Sequence, residues 1–162
     1  MNRPELLAIV IAFMLLVLAL MVAGWQARKR RQGGMARPAT APGELGATLG
    51  TFEGKYVATT AAGDPLDRIA VHGLGFRGNT EVTVAELGVL VHIDGTDPKW
   101  IPAADLRAHR KATWTIDRVV EQDGLELLEW SLGDRVVDSY FRFDDWLDFE
   151  FAVDALLERN AA

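Results

Sequence analysis

The chain has 162 residues and no cysteine, which excludes disulfides, thiolate zinc sites, a thiolate nucleophile and lipid attachment through Cys. Its net charge of −6 is unevenly spread: residues 1–43 carry six basic side chains and one acidic, whereas residues 44–162 carry 11 basic and 22 acidic, a net of −11. The acidic part is repelled by nucleic acid at long range, which argues against DNA or RNA as a partner, and the length allows one ordinary domain with an appendage.

From the N-terminus, residues 1–5 form a short tail. Leu6–Gly24, LLAIVIAFMLLVLALMVAG, then has no charged or strongly hydrogen-bonding side chain. A helix of that length spans about 28 Å, close to the hydrocarbon core of a bilayer. With Trp25 at the interface, 6–25 is expected to be a transmembrane helix. A cleaved export signal, which would leave an exported domain, fits less well: the apolar run is too long, Arg3 is offset by Glu5, and Met21 and Ala23 make a poor cleavage pair.

Arg28, Lys29, Arg30 and Arg31 follow the run, against Arg3 alone before it. This bias predicts a single-pass cell-membrane protein with its N-terminus outside and its C-terminal part in the cytoplasm. Trp25 and the four bases would form a collar at the anionic membrane surface. Residues 26–50 read as this basic juxtamembrane segment and a flexible linker, QGGMARPATAPGELGATLG, which has no apolar period.

Residues 51–162 form the domain. Strand patterns occur at TFEGKYVATT (51–60), RIAVH (68–72), EVTVAE (81–86) and GVLVHID (88–94). KWIPAADLRAHR (99–110) reads as a short strand broken by Pro102, a brief turn and a second extended piece. TIDRVVEQ and LELLEWSL suggest a hairpin around Asp123-Gly124, and RVVDSYFRF (135–143) follows the Gly133-Asp134 turn. The period then changes: 144–160 places Trp146, Phe149, Val153, Leu156 and Leu157 on one helical stripe, with Asp144 or Asp145 capping. Strands first and a helix last disfavour a parallel sheet. The expected fold is mainly β: after the transmembrane helix, a bent antiparallel sheet or partly open barrel of about seven strands with a C-terminal amphipathic helix.

KWIPAADLRAHR, VVEQDGLELLEWSLGD (119–134) and DSYFRFDD (138–145), in this order after an anchor, resemble the pleckstrin-homology (PH)-like domains of small actinobacterial single-pass membrane proteins. That resemblance implies a PH-like cytoplasmic domain. Members of the group are often labelled export or transport proteins.

The residues offer no catalytic constellation, and neither a metal site nor a cofactor is expected. GLGFRG (73–78) matches a dinucleotide-loop pattern, but a strand and not a helix follows it, so it reads as a turn. His72, His92 and His109 lack ligand spacing. His72 and His92 are expected on the polar phase of their strands. Two binding candidates remain. Arg107, His109, Arg110 and Lys111 form the domain's basic cluster, a contact for a partner or an anionic ligand, although phosphoinositide binding is not expected. Leu147 and Phe151 lie four apart, off the main stripe, as either a widened core face or a protein-contact strip. The expected function is a non-enzymatic protein-interaction or scaffolding module with an unidentified protein partner. The alternatives are an accessory subunit of a transport or export complex and a lipid- or anionic-ligand-binding module.

Overall fold

The computed structural model describes residues 3–112, 114–115, 118–119 and 124–161. It divides into two compact units, one ending at Gly34 and one beginning at Met35. The first is a single helix, α1 (Arg3–Arg31), long and apolar enough to cross a membrane, with a mean hydropathy of 3.2 over its most apolar window. It runs past the expected end at residue 25 and takes in the four bases. Cations there sit favourably against the negative end of the helix dipole, and Gly33 and Gly34 follow the last turn.

The second unit contains β1 (Thr48–Ala61), β2 (Asp64–Arg68), β3 (Gly78–Ala85), β4 (Gly88–Ile93), β5 (Lys99–Pro102), β6 (Leu106–Ala112), β7 (Trp114–Thr115), β8 (Arg118–Val119), β9 (Leu125–Leu132), β10 (Arg135–Phe143) and the helix α2 (Trp146–Ala161). Eight strands form one antiparallel sheet in the order β5-β4-β3-β1-β10-β9-β6, with β2 beside β1, while β7 and β8 pair separately. β1 is the spine. Its first half pairs with β3 and its second half with β10, with a register shift between Tyr56 and Ala58. Such an irregularity bends a strand and sharpens its twist. The two ends of the sheet, β5 and β6, are consecutive in the chain and joined only by the 3-10 turn Ala103–Asp105. The sheet therefore curls until its edges are within a few residues of each other, yet no strand ladder closes it.

The strand–turn–strand reading of 99–110 matches β5, the 3-10 turn and β6. Two other readings need correction. RIAVH is not a strand: β2 ends at Arg68, and Ile69 and Leu74 enter the core from the loop that follows. His72 lies in that loop with φ +57°. LELLEWSL lies between β10 and β6; of the segment expected to pair with it, the described residues Thr115, Arg118 and Val119 pair within β7 and β8 instead, and the rest lies outside the described residues. The expected Asp123-Gly124 turn lies partly outside the described residues.

The linker reading of 32–50 also needs correction from Met35 onward. Met35 is buried in the domain core, and Ala36 and Leu49 pack against it. Trp100 N–H donates to Ala39 O at 3.2 Å, Leu87 N–H to Leu45 O at 3.1 Å and Glu86 N–H to Ala47 O at 3.0 Å. The segment has no apolar period because it attaches through backbone bonds to a sheet edge and a turn, which offer donors without side-chain specificity.

Inside the curl, Val82, Val84, Val89, Val91 and Ile93 meet Leu128, Leu132, Phe141 and Phe143. A buried polar chain crosses this core. Trp130 Nε1–H donates to Ser139 Oγ at 2.9 Å, which meets Thr59 Oγ1 at 2.7 Å, and Tyr56 O–H donates to Leu74 O at 2.8 Å. Burial pushes the Tyr56 phenol far up. α2 covers the open end with Phe149, Ala152, Val153 and Leu156 buried. Trp146, expected on that stripe, is 44% exposed and lies outside the core.

Candidate functional site

The seam where β6 meets α2 gathers most of the side chains that the sequence singles out. Along a strand, residues two apart share a face; along a helix, residues four apart do. His109 and Lys111 of β6 are such a pair, and so are Glu150 and Asp154 of α2. The two pairs match. His109 Nδ1 faces Asp154 Oδ1 at 3.3 Å, and Lys111 Nζ meets Glu150 Oε2 at 2.8 Å. Lys111 Nζ also stands 3.7 Å over the Trp146 ring, which explains why that exposed indole is held at the start of α2.

The other two members of the basic cluster point to the opposite face of β6. Arg107 Nε–H donates to Ser131 Oγ at 2.8 Å, and Arg110 pairs with Glu129. All four side chains are thus engaged inside the domain, two of them as clamps for α2. Sequence proximity suggested one positive patch. The strand's alternation, shifted by the register irregularity between Leu106 and Ala108, splits it across two faces, and carboxylates from β9 and α2 meet three of its members.

His109 is the most constrained of the four. Its side chain is 5% exposed and its Nε2 lies 2.6 Å from Glu126 Oε2, whose side chain is 3% exposed. The ring meets Phe149 edge-on at a centroid distance of 5.9 Å. Burial alone would push the imidazole down. The bonds to and charges of Glu126 and Asp154 outweigh it and hold the group above its ordinary value. Glu126 is the residue that sequence reasoning missed. It sits on the phase of LELLEWSL that otherwise holds Leu128, Trp130 and Leu132, and that break in an apolar face was the signal.

Leu147 and Phe151 are 47% and 64% exposed, so the strip faces solvent and does not widen the core. At helical spacing they share a face with Asp148, Asp154 and Glu158, and the preceding Asp144 extends it; no base lies among these residues. Trp25 and Arg28–Arg31 all lie on α1, where Lys29 Nζ stands 3.8 Å over the Trp25 ring.

A separate open cleft of about 1070 Å³ lies between residues 37–41, the loop holding His72 and the β4–β5 turn. His72 Nε2–H donates to Met35 O at 2.9 Å, and His92, on β4, lines the same cleft. Lys99 is nearly buried there. Its Nζ donates to Thr96 Oγ1 at 2.8 Å and Asp97 O at 2.6 Å, which staples the turn, and burial lowers its pKa. Among the described residues no group of three metal-ligating side chains is placed to hold an ion.

The family model described as Bacterial PH domain-like matches residues 35–156. The match starts at Met35, where the compact domain starts. No curated protein matches the chain.

Proposed function

The chain belongs to the bacterial PH domain-like family, and from that premise we propose that it is a non-enzymatic, single-pass membrane protein whose cytoplasmic domain docks another protein. The observation that carries this reading is the outer face of α2. Its inner face is spent on closing the curled sheet, while Leu147 and Phe151 project outward between carboxylates. Exposed apolar side chains on an element already anchored by a full core contribute nothing to the fold and offer contact area to a partner. The acidic surround favours a partner that sets Lys or Arg around an apolar patch, such as a basic amphipathic helix. With all four bases at 107–111 engaged internally, support for an anionic ligand at that cluster is withdrawn.

Two experiments test the proposal. A photocrosslinking residue at position 151 of the full chain in its native membrane is expected to give a discrete adduct to one protein. Leu147→Glu should reduce that adduct at least tenfold, with folding unchanged, because the site is exposed. An adduct pattern identical in Leu147→Glu overturns the docking face. Separately, a C-terminal reporter active only in the cytoplasm is expected from the basic residues that follow the apolar run. A reporter active only outside overturns the orientation.

A further inference from the structure

We infer that a proton on His109 latches α2 to the sheet, so that losing it releases the helix's contact with β6 while the contact between His109 and β9 is kept. The geometry carries this. Both ring nitrogens face carboxylate oxygens, Nε2 toward Glu126 at 2.6 Å and Nδ1 toward Asp154 at 3.3 Å. A neutral imidazole has one N–H and one lone pair, so it satisfies one carboxylate and repels the other. Only the imidazolium donates to both.

The two contacts differ in what happens when the proton leaves. Glu126 is buried on β9 and is the shorter contact, so it retains the remaining N–H. Asp154 is 51% exposed on α2 and turns to water at little cost. Deprotonation therefore acts selectively on the helix. The charges around the ring from each packed element are Glu126 of β9, Asp154 and Glu150 of α2, and Lys111 of β6, which is itself paired with Glu150. From α2 the Phe149 ring also packs on the imidazole, so a change at His109 is felt at the helix's main core residue.

The sign follows from the raised pKa of His109. A group raised on folding contributes stability that is fully present below its ordinary value of 6.5. That contribution is lost as pH rises through the raised, folded-state value. The helix is thus held below pH 6.5 and loosened as pH rises through the raised value of His109. The latch holds whether or not α2 docks a partner, so its test does not depend on that reading.

The full chain in detergent micelles is followed by amide hydrogen exchange, corrected for the intrinsic pH dependence of exchange. Opening of 149–156 is expected to rise about two- to fivefold as pH crosses the titration point of His109, with the β1–β10 ladder unchanged. That titration point, read from the ring's NMR shifts, is expected above 6.5. His109→Gln should abolish the pH dependence. Because that site is buried, Asp154→Asn is the second variant: it leaves the core untouched and should give, at every pH, the level of opening that the unaltered chain reaches above the titration point of His109. Opening that stays flat with pH in the unaltered chain, or the same pH step in Asp154→Asn, overturns the latch.

Discussion

Replacing Gly88 with alanine is expected to destabilise the domain by about 3–5 kcal/mol. Gly88 begins β4 and has φ +152°, in a region that residues with a Cβ avoid. The space is also occupied. A Cβ would lie 2.2 Å from the Ile101 carbonyl oxygen and 2.7 Å from the Trp100 ring. A carbonyl held in the β4–β5 ladder has no rotamer to move into, so the methyl is accommodated only by parting β5 from β4. β5 is an end of the sheet and leads into the turn to β6, so the damage falls on the junction that keeps the curl. Gly95 is the control. Its φ is +76°, but nothing lies within 4 Å of a Cβ there, and Gly95→Ala should cost only about 1 kcal/mol. Chemical denaturation of the two variants checks both numbers. Equal losses would show that conformation, not contact, sets the cost.

Phe149→Ala should cost a similar amount, about 3–5 kcal/mol, and should act first on α2. Phe149 is fully buried and is the hub of the ring cluster, 4.4 Å from Phe143 and 5.4 Å from Phe52 by centroid, with Phe141 at 6.5 Å. It draws these β1 and β10 residues together beneath α2, and it meets His109 from β6. Its removal leaves a cavity at the place where the helix closes the open end. Hydrogen exchange should report lost protection in α2 before the β1–β3 ladder is affected, and denaturation should report the total. By contrast, Phe151→Ala, two positions on, is expected within about 0.5 kcal/mol of the unaltered chain, because Phe151 is 64% exposed. A large loss at 151, or a small one at 149, would reverse the assignment of the two faces.

Much of this architecture was legible without coordinates. The uncharged run after Glu5 required a long apolar helix, because nothing in it favours water. The alternation in EVTVAE and GVLVHI required half-buried strands, and the shift to a 3.6-residue period after Phe143 required the terminal helix. Pro102 correctly marked the break between β5 and β6, since proline cannot continue a ladder.

What escaped the sequence were relations between distant segments. The 35–49 stretch carries no period because backbone hydrogen bonds and a few apolar side chains attach it to the domain, so composition alone read it as a loose linker. Arg107, His109, Arg110 and Lys111 looked like one patch because adjacency along the chain is visible. The side each residue faces, and the carboxylates it meets, depend on β9 and α2, whose pairing with β6 is set only once the sheet has curled. Leu147 and Phe151 were compatible with either a wide core or a bare face; their exposure once α2 is packed on the sheet decided for the bare face. Local pattern reports a side chain's neighbours on its own element. Charge pairing, burial and the direction in which a helix face looks come from contacts far apart in sequence, which only the packed fold brings together.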